Sequence, residues 1–247
     1  MNLWRSMPAA LLQVVCAVRL QAGDMNSDFD QANKLYEEGK YRDAAAAYEK
    51  LSATGARSPA LLFNLGNAHF KAGQMGEAIA AYRGAEALAP RDPDLRANLQ
   101  FARARVSGAT LKPGWLHRAA DSLTLNEWTL LALLPAWAWI GLLITRQLKP
   151  ALKPRLRGAT LATGALAVCG CVVLGWVAGQ RLNERTVVVT ARNAVVRYGP
   201  LAEAGESFTA NDGAELRVLD VKNDWLQVTD DARFTGWLKT NSVRVLN

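Results

Sequence analysis

The chain has 247 residues, room for more than one domain, and carries 29 basic against 22 acidic side chains for a net charge of +7. The excess sits in residues 146–157 and at the chain start, while 25–106 and 186–247 are each close to neutral. That distribution argues against a nucleic-acid-binding surface, which would spread or stripe its cations over a folded domain. The cysteines are Cys16, Cys169 and Cys171, so no disulfide framework holds the segments 25–106 and 186–247.

Residues 1–22 read as a signal peptide. Met1–Arg5 is weakly basic, Met7–Val18 is apolar, and the run Leu20 to Ala22 is a rough cleavage pattern. Arg19 interrupts it, and an uncleaved anchor is the alternative; both would export the chain beyond residue 22. Cys16 comes directly after Val15, where a lipidation signal needs a small residue.

Residues 23–106 repeat themselves at a 34-residue period, in units 25–58 and 59–92. Ala32 aligns with Gly66, Gly39 with Gly73, Tyr41 with Met75, Ala44 with Ala78 and Tyr48 with Tyr82. The small residues let paired helices approach, the glycines end the first helix of each pair, and the tyrosines fill the gap between pairs. This pattern resembles the tetratricopeptide repeat. Residues 93–106 read as a capping helix, with Asn98 and Leu99 one period after Asn64 and Leu65. The resemblance implies a concave groove for an extended peptide. Asn33, Asn64, Asn67 and Asn98 are its candidate hydrogen-bonding groups, and Tyr36, Phe63 and Phe70 its apolar pockets. Phe29 stands where the family's carboxylate clamp would need Lys. His69 reads as an aromatic-position packing residue. Neither it nor His117 has a partner at metal-ligand spacing, so no metal and no cofactor is expected.

After a linker at 107–127 come two apolar runs, 128–145 and 159–179, flanking the basic loop 146–158. Each approaches the roughly 20 residues that a spanning helix needs. Short loops rich in Lys and Arg stay cytoplasmic, so the runs predict a transmembrane hairpin with both flanking domains on the outer side of the plasma membrane. Thr163, Ala167, Cys171, Gly175 and Gly179 recur every fourth residue, a small-residue stripe suited to packing on the first span or on a partner's span.

Residues 186–247 read as short strands: 186–190, 193–197, 215–221, 225–228, 234–238 and 243–246, with turn residues between. The pattern predicts a small barrel. The run Asn193 to Pro200, Gly213 before a strand, Asp224 beside Trp225, and Gly236 beside Trp237 resemble a bacterial SH3-like domain. Such a domain would bind peptides or cell-wall components through Arg197, Tyr198, Trp225 and Trp237, though for the last a core position is the favoured expectation.

The order of signal, repeats, two spans and SH3-like barrel resembles the BatE proteins of the Bacteroides aerotolerance operon. The fold class expected is thus a multidomain membrane protein: an all-α repeat stack, a two-helix transmembrane hairpin and an all-β barrel. The resemblance implies a non-catalytic envelope scaffold with von Willebrand A-domain protein partners. A cell-wall peptide sensor is the competing expectation. The chain holds no phosphate-binding loop, dinucleotide fingerprint, nucleophile elbow or zinc-protease helix, so it is not expected to be an enzyme.

Overall fold

A computed structural model describes residues 26–106, 114–183, 185–230 and 234–246. The expected signal segment, and residues 107–113 of the linker, lie outside them.

Helices come first. α1 (residues 26–37) pairs with α2 (Tyr41–Ala53), α3 (Pro59–Lys71) pairs with α4 (Met75–Leu88), and α5 (Pro93–Ala104) closes the stack. Ser58 and Asp92 cap α3 and α5 with their side chains, each followed by a proline that starts the helix without needing an N–H partner. Gly39 and Gly73 turn the chain between paired helices at φ of 76° and 80°, which a side chain would strain. The core alternates large and small: Tyr48, Tyr82, Leu95 and Leu99 against Ala32, Ala44, Ala78 and Ala85.

α6 (Trp115–Asp121) is a short connector. α7 (Leu125–Leu148) begins with a capping box between Thr124 and Glu127, and α8 (Lys153–Asn183) returns beside it after a single 3₁₀ turn at Pro150–Leu152. Both helices are long and apolar enough to cross a membrane. Ala132 is the one buried residue of α7, and leucines such as Leu130, Leu134 and Leu161 stand 60% or more exposed. Such faces require lipid or protein cover. The helices touch through small residues. A methyl placed on Gly164 would meet Trp139 at 2.9 Å, and one on Gly170 would meet the Ala132 backbone at 3.1 Å. Thr160, Ala167 and Val177 are buried along the same contact. The four-residue stripe reads differently in three dimensions. Ala167 lies in the contact, but Cys171 is exposed, and a β-carbon on Gly175 or Gly179 would meet nothing within 4 Å. A four-residue step turns about 40° past a full helical circuit, so a stripe of five positions drifts away from a single neighbour.

The C-terminal segment is one antiparallel sheet of β1 (Thr186–Val189), β2 (Asn193–Arg197), β3 (Glu206–Asn211), β4 (Glu215–Lys222), β5 (Trp225–Thr229), β6 (Thr235–Lys239) and β7 (Val243–Leu246). Its order is β3-β2-β6-β5-β4-β1-β7, and β3 and β7 are edges that do not pair. The expected closed barrel is therefore corrected to an open sheet. β3 was not anticipated, because its polar run lacks a clean alternation of apolar residues.

The sheet docks on the helical stack. β1 explains how: Val187 and Val189 face the sheet's own core, while Val188 enters the helical core. A strand buried on both faces needs β-branched residues throughout. α4 approaches so closely at Gly76 that a β-carbon there would fall 2.1 Å from the Val189 carbonyl oxygen. Asp212 accepts the α4 backbone N–H groups of Met75 at 3.2 Å and Gly76 at 2.8 Å, supplying the helix cap that Gln74 does not. Glu215, 1% exposed, accepts two bonds from Arg103, at 2.9 Å to Nε and 2.7 Å to Nη2, and stands 3.6 Å from Arg83. Burial works against the charge of Arg83, but Glu215 and Glu86 outweigh it and hold its pKa above the ordinary value.

Two variants test this docking, with a third as reference. Gly76→Ala should lower stability by about 1–3 kcal/mol, because its new methyl meets backbone on the sheet side; Gly175→Ala, the reference, should change it by under about 0.5 kcal/mol. Glu215→Ala should cost about 3 kcal/mol by stranding two partly buried guanidinium groups. Denaturant unfolding of the detergent-solubilised chain, followed by tryptophan fluorescence, measures all three.

Candidate functional site

The asparagines of the stack form a repeated internal ladder. Asn33 Oδ1 accepts the Tyr48 hydroxyl at 2.6 Å and Asn64 Nδ2 at 3.1 Å. One period later Asn67 Oδ1 accepts the Tyr82 hydroxyl at 2.7 Å and Asn98 Nδ2 at 3.1 Å. Each ladder joins the first helix of one pair to the second helix of the same pair and to the next helix along the stack. The carboxamide oxygens of Asn33 and Asn67 are thus committed to packing the stack rather than to a ligand. Burial pushes the Tyr48 phenol up to about 12, with the hydrogen bond to Asn64 opposing, and burial raises Tyr82 as well.

The concave side does hold a cavity, of about 280 Å³. Tyr36, Asn67, Phe70 and Asn98 line it together with Lys71, Tyr82 and Phe101. Phe63 instead packs on Tyr82 at 6.0 Å, and Asn33 and Asn64 belong to the neighbouring rung of the ladder. Phe101, half exposed, and Arg105 carry no repeat signature. They complete an aromatic end wall in which the guanidinium lies 4.5 Å over Phe101 and 5.5 Å from the Phe70 centroid. Lys71 and Arg105 give this groove a cationic rim.

Residues 29–93 match the model of the tetratricopeptide repeat. The helical stack is a tetratricopeptide repeat segment. No curated protein matches the chain.

The sheet presents a second surface. Arg197 pairs with Trp237, which pairs with Gln227, so these side chains form a row across β2, β6 and β5. Trp225 shares that face and lies under Lys239, 5.5 Å from its ring. Leu226, Val228 and Leu238 point the other way, into the core. Trp237 is therefore not a core residue. Arg197 also donates to the Ala204 carbonyl at 2.7 Å, which steadies the loop after Tyr198, itself 71% exposed.

A third cluster joins residues that the sequence does not place together. His69, 4% exposed, has Nδ1 2.9 Å from Gln74 Oε1 and Nε2 3.5 Å from Glu49 Oε1. Glu77 stands within reach of both and is held by Arg244 of β7 through contacts of 3.0 and 2.9 Å. Sequence spacing gives His69 no metal partner, but the fold brings two carboxylates beside it. Glu49, His69 and Glu77 lie on α2, α3 and α4, so no fixed spacing signals them.

The raised phenols fix a pH dependence. A tyrosine whose folded pKa lies above its unfolded value of about 10 contributes its full stability below that pH and loses it as pH rises towards about 12. Stability should hold up to about pH 10 and then fall, with a late phenolate absorbance step that coincides with loss of helicity. Asn67→Ala, which leaves the Tyr82 hydroxyl unpaired, should cost about 1–3 kcal/mol, against about 1 kcal/mol for Asn98→Ala.

Proposed function

We propose that this chain is a non-catalytic, membrane-anchored scaffold of BatE-like architecture, in which the tetratricopeptide groove and the SH3-like sheet bind protein partners outside the plasma membrane. Protein–protein interaction is the role that tetratricopeptide repeats suggest. The single observation that carries the groove assignment is the cavity lined by Phe70, Asn98 and Phe101 under a cationic rim. Lys71 and Arg105 favour an extended segment with acidic residues, which an envelope partner such as a von Willebrand A-domain protein would supply. The docked sheet supports the topology. Contacts such as Met75 to Asp212 tie the chain before α7 to the chain after α8, so a spanning hairpin leaves both on one side. The basic residues between the helices then select the cytoplasm for the turn.

A second reading rests on the row of Arg197, Trp237 and Gln227 beside Trp225 and Lys239, a face suited to stacking and to anionic groups of a cell-wall peptide.

Three measurements separate these. Cysteines placed at Thr54 and Asp220 should label from outside the membrane and one at Leu152 should not; the reverse pattern overturns the topology. A photocrosslinking residue at Phe101, in native membranes, should yield a discrete protein adduct that Lys71→Glu with Arg105→Glu removes. Binding of the intact chain to purified sacculi, lost on Trp225→Ala with Trp237→Ala, would favour the cell-wall reading over the scaffold.

A further inference from the structure

We infer that Glu49, His69 and Glu77 form a zinc site that Arg244 occupies as an internal cation when no metal is bound. His69 sets the geometry. Its Nδ1 faces the Gln74 carboxamide oxygen at 2.9 Å, an acceptor, so Nδ1 carries the ring proton. In the neutral ring Nε2 is then a lone pair. It points at the Glu49 carboxylate with 3.5 Å between nitrogen and oxygen, too far and too acceptor-rich for a hydrogen bond. A ring nitrogen facing a carboxylate from a side chain 5% exposed calls for a positive charge between them, either a ring proton or a metal ion.

The spacing suits a metal ion. Two ligands bound at about 2.0–2.1 Å to a tetrahedral ion stand roughly 3.4 Å apart. The third ligand atom, from Glu77, lies with the other two inside a 4.8 Å span that a rotation of an exposed or half-exposed glutamate closes. One imidazole and two carboxylates suit zinc and leave a fourth position for water. Gln74 supplies the outer hydrogen bond that fixes the ring's tautomer and orientation in such sites. Glu49 is exposed and gives the ion a way in.

Arg244 already engages the same two carboxylates. Its guanidinium pairs with Glu77 at 2.9 Å and approaches Glu49 at 3.7 Å, and more than half of that side chain is exposed. It neutralises both carboxylates, and its exposure lets an entering ion displace it. Metal and arginine therefore compete for the same charge.

The experiment uses the full chain in detergent with zinc alone as probe, read by calorimetric titration and by the zinc-dependent rise in Tm. Cobalt substitution reports tetrahedral geometry through its visible absorption. Wild type should bind zinc saturably. Glu49→Gln, at an exposed position that leaves the fold intact, should weaken that binding by about tenfold or more, as should Gln74→Ala. Arg244→Gln should tighten it. Absence of saturable binding in wild type, equal affinity in Glu49→Gln, or no gain in Arg244→Gln would each overturn the proposal. His69→Gln risks unfolding the stack and serves only as a confirming variant.

Discussion

The carboxylate of Glu215 organises this molecule. It sits at the start of β4, almost wholly buried, and reaches two arginines on two different helices of the stack. A charge so placed is tolerated only when its partners are in position. It therefore makes the orientation of sheet and stack a condition of folding rather than an outcome of it. Asp212 at the N-terminus of α4 and Arg244 on Glu77 extend the same logic to either side. Arg83 carries it onward, because its pair with Glu86 lies near Asp121 on α6, whose carboxyl is raised by burial against the pull of Arg83 and Arg181. Arg181, from the end of α8, closes the series on the Ala120 and Leu123 carbonyls, which the Trp128 indole shares at Ala120.

This chain of contacts explains how so short a repeat survives. Two helix pairs and one extra helix fall below the roughly three repeats that usually suffice. Here the missing cover on α4 comes from the sheet. Val188 and Leu246 complete the helical core, and Gly76 permits the backbone contact that brings them there. The repeat and the sheet share one interior.

The repeat was legible because its signals are local and periodic: alanine and glycine at fixed offsets, tyrosine at Tyr48 and Tyr82. Most strands were legible by alternation. What the sequence concealed is the traffic between segments. Glu215 opens an alternating strand with nothing local to mark it, yet its neighbour across space is an arginine 112 positions away. Asn33 and Asn67 read as ligand-facing because the repeat resemblance puts their helices along the concave side, but tyrosines of the next helix take their oxygens first. The edge strands of a barrel and of an open sheet look alike in sequence, since closure depends on coil and register rather than on composition. Gly175 and Gly179 are small although neither packs closely on α7.

The long reach of the docking contacts has a consequence for biogenesis. Gly76 waits for Asp212 across 136 positions, and Glu77 waits for Arg244 across 167. During synthesis the stack emerges with its α4 face bare, and both apolar helices must be made before the strand that covers it exists. Through that interval the nascent stack is an adhesive, half-finished surface. Docking of the sheet therefore comes after synthesis of both apolar helices, and until then Ile79 and its neighbours on α4 lack their cover.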